Sequence, residues 1–307
     1  MTQSGDPLTS SGSRLPERAG DLLRALLAQA LPPGLHVVAT PIGNLGDISL
    51  RALSTLARAD LLYCEDTRHS RVLLTHFGIT RPLRAYHEHN AERERPRILA
   101  ELTAGRSVAL ISDAGTPLIS DPGYKLVRAA LAAGIRVTSL PGASAVLAAL
   151  TMAGLATDTF LFVGFLPVKA GARRGRLTEL RAMPATLVLF EAPSRLADTL
   201  LDIAMVLGDR PVAVARELTK LHEEVRTGVA AELAQWAAAA APRGEMVIVI
   251  GQAPMAEVGD ATIAAHLQSL PASMSVRDAA KATAEALSVP KTRAYELALA
   301  LKKSGAG

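Results

Sequence analysis

Three short segments of this 307-residue chain concentrate side chains able to move a proton. Cys64-Glu-Asp-Thr-Arg68 and Tyr86-His-Glu-His-Asn90 bring carboxylates, imidazoles, a guanidinium and an amide together, and Ala215-Arg-Glu-Leu-Thr-Lys-Leu-His-Glu-Glu224 forms a third group. Glu65, Asp66, His87, Glu88, His89, Glu217 and Lys220 are therefore the candidates for taking a proton from a weak nucleophile. A metal is the other use of such residues. On a strand, however, His87 and His89 would share a face while Glu88 points away, which supplies two ligands where a zinc site needs three or four. A polar, substrate-facing strand end or loop is expected there, and no metal.

A second set of segments is rich in glycine and turn formers. Thr40-Pro-Ile-Gly-Asn-Leu-Gly-Asp47 follows a predicted strand and precedes a helix, where open α/β sheets bind ligands. Glu65 and Asp66 follow it by roughly 20 residues, where a ribose-binding acid would sit, yet the glycines lack the G-x-G-x-x-G spacing of a dinucleotide fingerprint. Ser112-Asp-Ala-Gly-Thr-Pro-Leu-Ile-Ser-Asp-Pro-Gly123 is longer than a plain connection needs. Its small side chains expose backbone N–H and C=O groups, and Asp113 or Asp121 is suited to a ligand's hydroxyls or amine; a kinked loop whose aspartates cap helices is the alternative. Pro141-Gly-Ala-Ser-Ala145 again follows a strand and opens a helix, with Ser144 placed to cap it. Three such loops at strand ends favour a ligand cleft over plain scaffolding.

The elements that must position these loops alternate short apolar runs with amphipathic stretches, the signature of α/β layering. Strands are predicted at Leu35–Thr40, Asp60–Glu65, Ser107–Ser112 and Arg136–Leu140, and helices at Ser49–Arg58, Ser70–Phe77, Glu92–Ala104, Tyr124–Ala133 and Ala143–Met152. After the aromatic run Phe160–Phe165, Pro167 and the basic cluster Arg173-Arg174-Gly-Arg176 mark a junction. The pattern then resumes with strands at Ala185–Phe190, Pro211–Arg216, Glu223–Thr227 and Glu245–Ile250, and helices at Ser194–Leu207 and Ala230–Ala239. The short connection between two of these strands predicts a mixed sheet. Beyond a linker with Pro254 and Gly259, helices are expected at Ala261–Ser269, Ser275–Leu287 and Lys291–Lys302, with Ser288-Val-Pro-Lys291 as the turn of a helix-turn-helix. Domains are thus expected at 34–156, 157–253 and 258–307. Residues 1–33 read as a disordered extension with a short helix.

Composition agrees with a soluble globular chain: 49% hydrophobic and 20% charged, with 3% aromatic. The lone Cys64 excludes an intrachain disulfide and points to a reducing, cytoplasmic setting. The apolar run Leu22–Leu31 is too short to span a bilayer, so no membrane partner is expected. A formal charge of +4 is compatible with a polyanionic partner. The basic groups available to one are Arg173, Arg174, Arg176, Arg195, Arg216 and Lys220, with Lys281, Lys291, Arg293, Lys302 and Lys303 in the tail; solvated surface charge is the alternative for each.

Taken in order, Thr40–Ser49, Cys64–Arg68, Ser112–Thr116 with Asp121-Pro-Gly123, Pro141–Ser144 and Phe190-Glu-Ala-Pro193 resemble the motifs of the tetrapyrrole methylase superfamily. The resemblance runs from about Leu35 to Gly251, and the helical tail resembles an extension carried by one branch. That branch methylates the ribose 2′-oxygen of a cytidine in the decoding region of 16S ribosomal RNA, free or in the assembled small subunit. The resemblance implies an α/β fold of two stacked domains with S-adenosylmethionine in the cleft between them, and a homodimer. It places Pro41, Ser112, Asp113, Ala114, Gly115, Thr116, Ser144, Ala145, Phe190, Ala215 and Gly244 around the donor. Arg68, His89, Asn90, Arg173, Arg174, Arg195, Arg216, Lys291 and Arg293 would then face RNA. Glu65, Asp66, His87, Glu88 and Lys220 remain open as catalytic candidates. Methylation of a tetrapyrrole or other small precursor on the same scaffold, and a nucleic-acid-binding nucleotide sensor without turnover, are the competing readings.

Overall fold

The computed structural model describes residues 14–253, 259–271, 273–287 and 289–304. The expected tail over 1–13, the linker's Pro254, the turn's Ser288 and the side chain of Lys303 lie outside them.

The first sheet takes five parallel strands in the order β3-β2-β4-β1-β5: β1 Gly34–Val38, β2 Leu61–Cys64, β3 Leu83–Ala85, β4 Ser107–Ile111 and β5 Val137–Leu140. Helices α2 Leu50–Arg58, α3 Thr67–His76, α4 Ala91–Thr103, α5 Tyr124–Ala132 and α6 Ala145–Met152 alternate with them. Both faces are covered, which is why β1, β2 and β4 are buried along their whole lengths and are mainly apolar, with His36 of β1 and Ser107 of β4 the buried polar residues among them. Leu35, Tyr63 and Leu110 pack with Ile98 of α4 and Leu126 of α5 on one side. On the other side Val38, Leu62 and Ile111 pack with Leu56 of α2 and Leu74 of α3. Ser49 caps α2 by accepting from the Ala52 N–H. The edge strand β3 was not expected; at three half-covered residues it is too short to show a period.

The second sheet has the order β6-β7-β10-β8-β9, formed by β6 Phe160–Phe165, β7 Thr186–Glu191, β8 Pro211–Arg216, β9 Glu224–Val229 and β10 Met246–Ile250. β6 and β7 are parallel and the other pairs antiparallel, so the sheet is mixed as the short β8–β9 connection predicted. Helices α7 Ala170–Leu180, α8 Leu196–Leu207 and α9 Ala230–Ala240 cover one face through Leu177, Leu200, Ile203 and Leu233. The opposite face receives Val146, Ala149 and Leu150 of α6, with Ile42 from the loop after β1. A helix that follows the last strand of the first sheet thus completes the core of the second.

The short helix expected within residues 1–33 begins at Leu15. Residues Leu15–Ala28 form α1, with Pro16 in its first turn, and the chain beyond it is held by the Arg58 guanidinium donating to the Gln29 carbonyl. The Phe160–Phe165 run and the basic cluster after it are strand β6 and helix α7 rather than a connection.

Residues up to Ala253 form one compact unit and those from 254 onward a second. The second holds α10 Asp260–Ser269, α11 Val276–Leu287 and α12 Lys291–Ser304 around Ile263, Leu267, Ala280, Ala294 and Ala298.

Candidate active site

The carboxyl ends of β1, β4 and β5 open into a cleft of about 360 Å³ that is closed from the other side by the ends of β6 and β7 and the start of β10. That volume falls in the range of about 300–1,000 Å³ usual for small-molecule sites. Its apolar walls are Ile42, Ile119, Val146, Phe165, Phe190, Met246 and Val247; Asp121, Glu191 and Glu245 are the ionisable groups on its lining.

The loops are shaped by their own hydrogen bonds. Thr40 and Gly115 exchange backbone bonds of 2.9 and 3.0 Å, and Thr40 Oγ1 donates to the Ser112 carbonyl at 3.1 Å. Gly115 has φ of +79°, and a Cβ there would stand 3.1 Å from Ile42. The Ser112 hydroxyl donates to the Ala114 carbonyl and accepts from the Ala114 N–H, closing a tight turn. Thr116 Oγ1 donates to the Ala143 carbonyl and so joins the loops after β4 and β5. Leu118 and Ser120 both have positive φ, 74° and 63°, a costly conformation for such residues, in the stretch that leads to Asp121.

Of the residues assigned to the donor, Ala114, Gly115, Thr116, Ser144, Ala145, Phe190 and Gly244 line the cleft. Pro41, Ser112, Asp113 and Ala215 do not: Pro41 is buried, Ser112 spends its hydroxyl on the turn, and Ala215 packs in the core between α6 and the second sheet. Asp113 ties two loops together, accepting from the Asp66 N–H at 2.9 Å and facing His69 Nδ1 at 3.5 Å. Glu191–Pro193, part of the Phe190–Pro193 motif, also lines it, while Ile42, Val146, Phe165 and the Glu245–Val247 segment were missed. They are ordinary apolar or strand-end residues whose only signal was their place beside a strand terminus.

Glu65, Asp113 and Asp121 gather at the end of the first sheet. Burial pushes the Asp121 carboxyl above the usual range, and the neighbouring Asp113 charge adds to this. Burial also raises Glu65, helped by Asp121 and Asp113. Asp66 behaves oppositely. It caps α3, and its hydrogen bonds with Arg68 hold it well below the usual carboxylate range, leaving no basicity to spare. Glu88 and His89 are exposed, while His87 is half-buried with Nδ1 unpartnered and lies near enough to Glu65 to favour its ionised form.

Lys220 is held at the opposite rim. Its Nζ donates to Glu217 at 2.9 Å and to Glu245 at 3.1 Å. Burial works to lower its pKa, and the two carboxylates outweigh it, so the ammonium is stabilised above its ordinary value. The same hydrogen bond from Lys220 lowers Glu217. This loop crosses to the first sheet: Thr219 Oγ1 accepts from the Asn44 N–H at 3.1 Å, and a Cβ on Gly43 would meet Lys220 Cγ at 2.4 Å. Gly244 is required too, with φ of +95° and Glu217 Oε1 2.1 Å from where a Cβ would sit.

Several residues expected to face RNA are committed elsewhere. Arg173 is buried, its Nε donating to Asp202 at 2.6 Å. Asn90 accepts from the His87 N–H and donates to the Ala85 carbonyl, which folds its own loop. Arg195 donates to the Leu166 carbonyl and pairs with Glu191, whose carboxylate also accepts from Thr199 at 2.6 Å. Arg216 pairs with Glu224 at 2.7 Å and Arg293 with Asp260 at 2.7 Å. Arg68 keeps an 88% exposed side chain despite its bond to Asp66, Arg174 is half-exposed, and Lys291 is exposed. Cys64 is buried, and burial pushes its thiol up to about 11.

Comparison with known proteins sharpens this. The family profile of tetrapyrrole (corrin/porphyrin) methylases matches residues 34–234, and that of the RsmI C-terminal HTH domain matches residues 257–302. The chain is 54% identical over 283 residues to ribosomal RNA small subunit methyltransferase I of Mesorhizobium japonicum, covering 91% of this chain and 96% of that one. The protein of the same name from Pseudomonas aeruginosa is 49% identical, with 86% and 96% covered. Among solved structures, uroporphyrin-III C-methyltransferase from Thermus thermophilus superposes with a TM-score of 0.53 at 22% identity, covering 71% of this chain and 94% of that one. Diphthine synthase superposes at 0.55 and 15% identity, with 71% and 89% covered. At those identities the structures show the shared fold.

Proposed function

The chain belongs to the tetrapyrrole methylase family, and from that premise we propose that its cleft serves S-adenosylmethionine-dependent methylation of the ribose 2′-oxygen of a cytidine in the decoding region of 16S ribosomal RNA. The observation that carries this reading is the 54% identity along nearly the whole chain to a protein named as a small-subunit rRNA methyltransferase. The C-terminal helices, matched by the RsmI C-terminal profile, accord with it.

The cleft fits the donor. Gly115 leaves a cradle that a side chain would fill, the apolar walls suit an adenine ring, and Asp121 and Glu245 suit hydroxyls or an amine. When bound, S-adenosylmethionine supplies an electrophilic methyl group on a sulfonium that loses its charge on transfer. The chain's own residues orient the reactants and exclude water between the two sheets, which can supply much of the rate in such a reaction. The Glu65–Asp113–Asp121 group, with Asp121 on the cleft, is the place for proton acceptance from the ribose hydroxyl. Lys220, held as an ammonium by two carboxylates, orients Glu245 and is not the base.

Among the described residues no helix is long and apolar enough to cross a membrane. A cytoplasmic homodimer acting on rRNA or the small subunit completes the proposal. The test is incubation of the purified protein with methyl-labelled S-adenosylmethionine and small ribosomal subunits from a strain lacking the modification. Label on a decoding-region cytidine 2′-oxygen is expected, and its absence at that nucleotide sinks the assignment.

A further inference from the structure

At the outer edge of the second sheet, away from the cleft lining, Arg216, His222, Arg226, Trp236 and Arg243 surround a shallow depression. Glu224 is the one carboxylate on its lining, so three guanidiniums face a single negative charge. Arg216 and Arg226 both donate to Glu224, at 2.7 and 2.6 Å. The Arg226 guanidinium also lies 4.8 Å from the centroid of the Trp236 ring, while Arg243 stands exposed at the turn into β10. A guanidinium over an indole ring is favoured there electrostatically, and a guanidinium has five N–H donors, so one bonded to a carboxylate through Nε keeps others for a phosphate.

The depression adjoins the cleft. Gly244 and Glu245, directly after Arg243, line the cleft, and Arg216 stands opposite Met246, which lines it as well. Arg216 and Met246 sit on neighbouring strands, about 5 Å apart. The depression and the cleft lie on different faces of the sheet, however. Val212 and Val214 pack under the helices and Ala213 and Ala215 under α6, so the alternation puts Arg216 on the helix side. A chain running from cleft to depression must bend round the Arg243–Gly244 turn, which a flexible single strand can do and a stiff duplex cannot.

We propose that this depression docks the single-stranded RNA flanking the nucleotide held in the cleft, with Arg226 and Arg243 on phosphates and the aromatic Trp236, beside Arg226, offering a surface to a base. The inference rests on the rRNA reading above and assigns the substrate's path on the protein.

The test uses the full chain, a short fluorescein-labelled single-stranded RNA spanning the decoding-region cytidine, and the same RNA annealed to its complement. Arg226→Gln and Arg243→Gln should each reduce the slope of log affinity against log salt by about 0.7, the single-strand value for one phosphate. Trp236→Leu should weaken single-strand binding about ten-fold with the slope unchanged. Arg128→Gln on α5 removes the same charge elsewhere and should change neither. Binding of S-adenosylmethionine and the melting temperature are followed in each variant, so that misfolding is not read as lost contact. Unchanged RNA affinity and slope in both arginine variants, equal losses on duplex and single strand, or a change only in sedimentation mass, which would mark an interface between copies, each overturn the docking site. If the wild type methylates small subunits and the variants match it, the docking site alone fails. If the wild type neither binds this RNA nor methylates, the rRNA reading fails with it.

Discussion

Removing the Asp202 carboxylate isolates a guanidinium that has almost no access to water. Arg173 and Asp202 side chains are 6% and 8% exposed, and the pair is joined at 2.6 Å between α7 and α8. Breaking such a pair from one side costs about 3–5 kcal/mol, because a desolvated charge is left without its partner. In a compact unit of this size each kcal/mol lowers the melting temperature by about 2–4 °C, so Asp202→Ala should melt roughly 6–20 °C below the wild type. Arg173→Ala should cost less. Arg174 Nη1 already stands 3.8 Å from the other Asp202 oxygen and, being 45% exposed, can move in to neutralise it. The double variant Arg173→Met/Asp202→Leu should recover most of the loss, since a well-packed apolar pair replaces a buried ionic one at little net cost. The assay is thermal unfolding by circular dichroism, with RNA affinity measured alongside below the transition. Asp202→Ala melting within about 2 °C of the wild type would refute the burial argument. So would Arg173→Ala that keeps its melting temperature and loses RNA affinity, which would return Arg173 to the RNA surface.

Three further outcomes follow from the cleft. Gly115→Ala places a methyl group against Ile42 in a left-handed backbone, costing about 1–2 kcal/mol of local strain; isothermal titration should show weaker donor binding, and unchanged affinity would remove Gly115 from the cradle. Asp113→Asn keeps an oxygen for the Asp66 N–H but deletes the charge that helps to raise Asp121 and Glu65. A raised carboxyl must lose its proton before it can act as a base, so activity rises with pH through the raised value. The variant's acid limb in kcat/KM should therefore move to lower pH, and an unmoved limb would place the base elsewhere. Lys220→Arg should retain most of kcat, because a cation between Glu217 and Glu245 is what the geometry uses; a collapse of kcat with donor KM unchanged would make Lys220 a proton carrier.

The α/β layering, most strands and the three glycine-rich loops were legible in the residues because each depends on short-range chemistry. Ser49, Asp66 and Ser144 cap the helices they precede, and the short, mainly apolar segments of β1 and β4 announce strands buried on both faces. Cys64–Arg68 and Ser112–Gly123 were likewise visible as unusual concentrations of small and ionisable groups. Tertiary structure alone decided how those groups are used. Arg173 looks like its exposed neighbours until α7 lies on α8 and turns it toward Asp202, 29 residues away. Asn90 looks like a ligand group until its amide is seen closing its own loop. Lys220, already paired with nearby Glu217, gains its second carboxylate because the chain leading into β10 brings Glu245 beside it, and Asp121 rather than Asp113 reaches the cleft because the strained Leu118–Ser120 turn carries it there. Residue type and local spacing fix which side chains are able to do chemistry. Burial and partner choice depend on contacts between segments far apart in the chain, and those set which of them are free to do it.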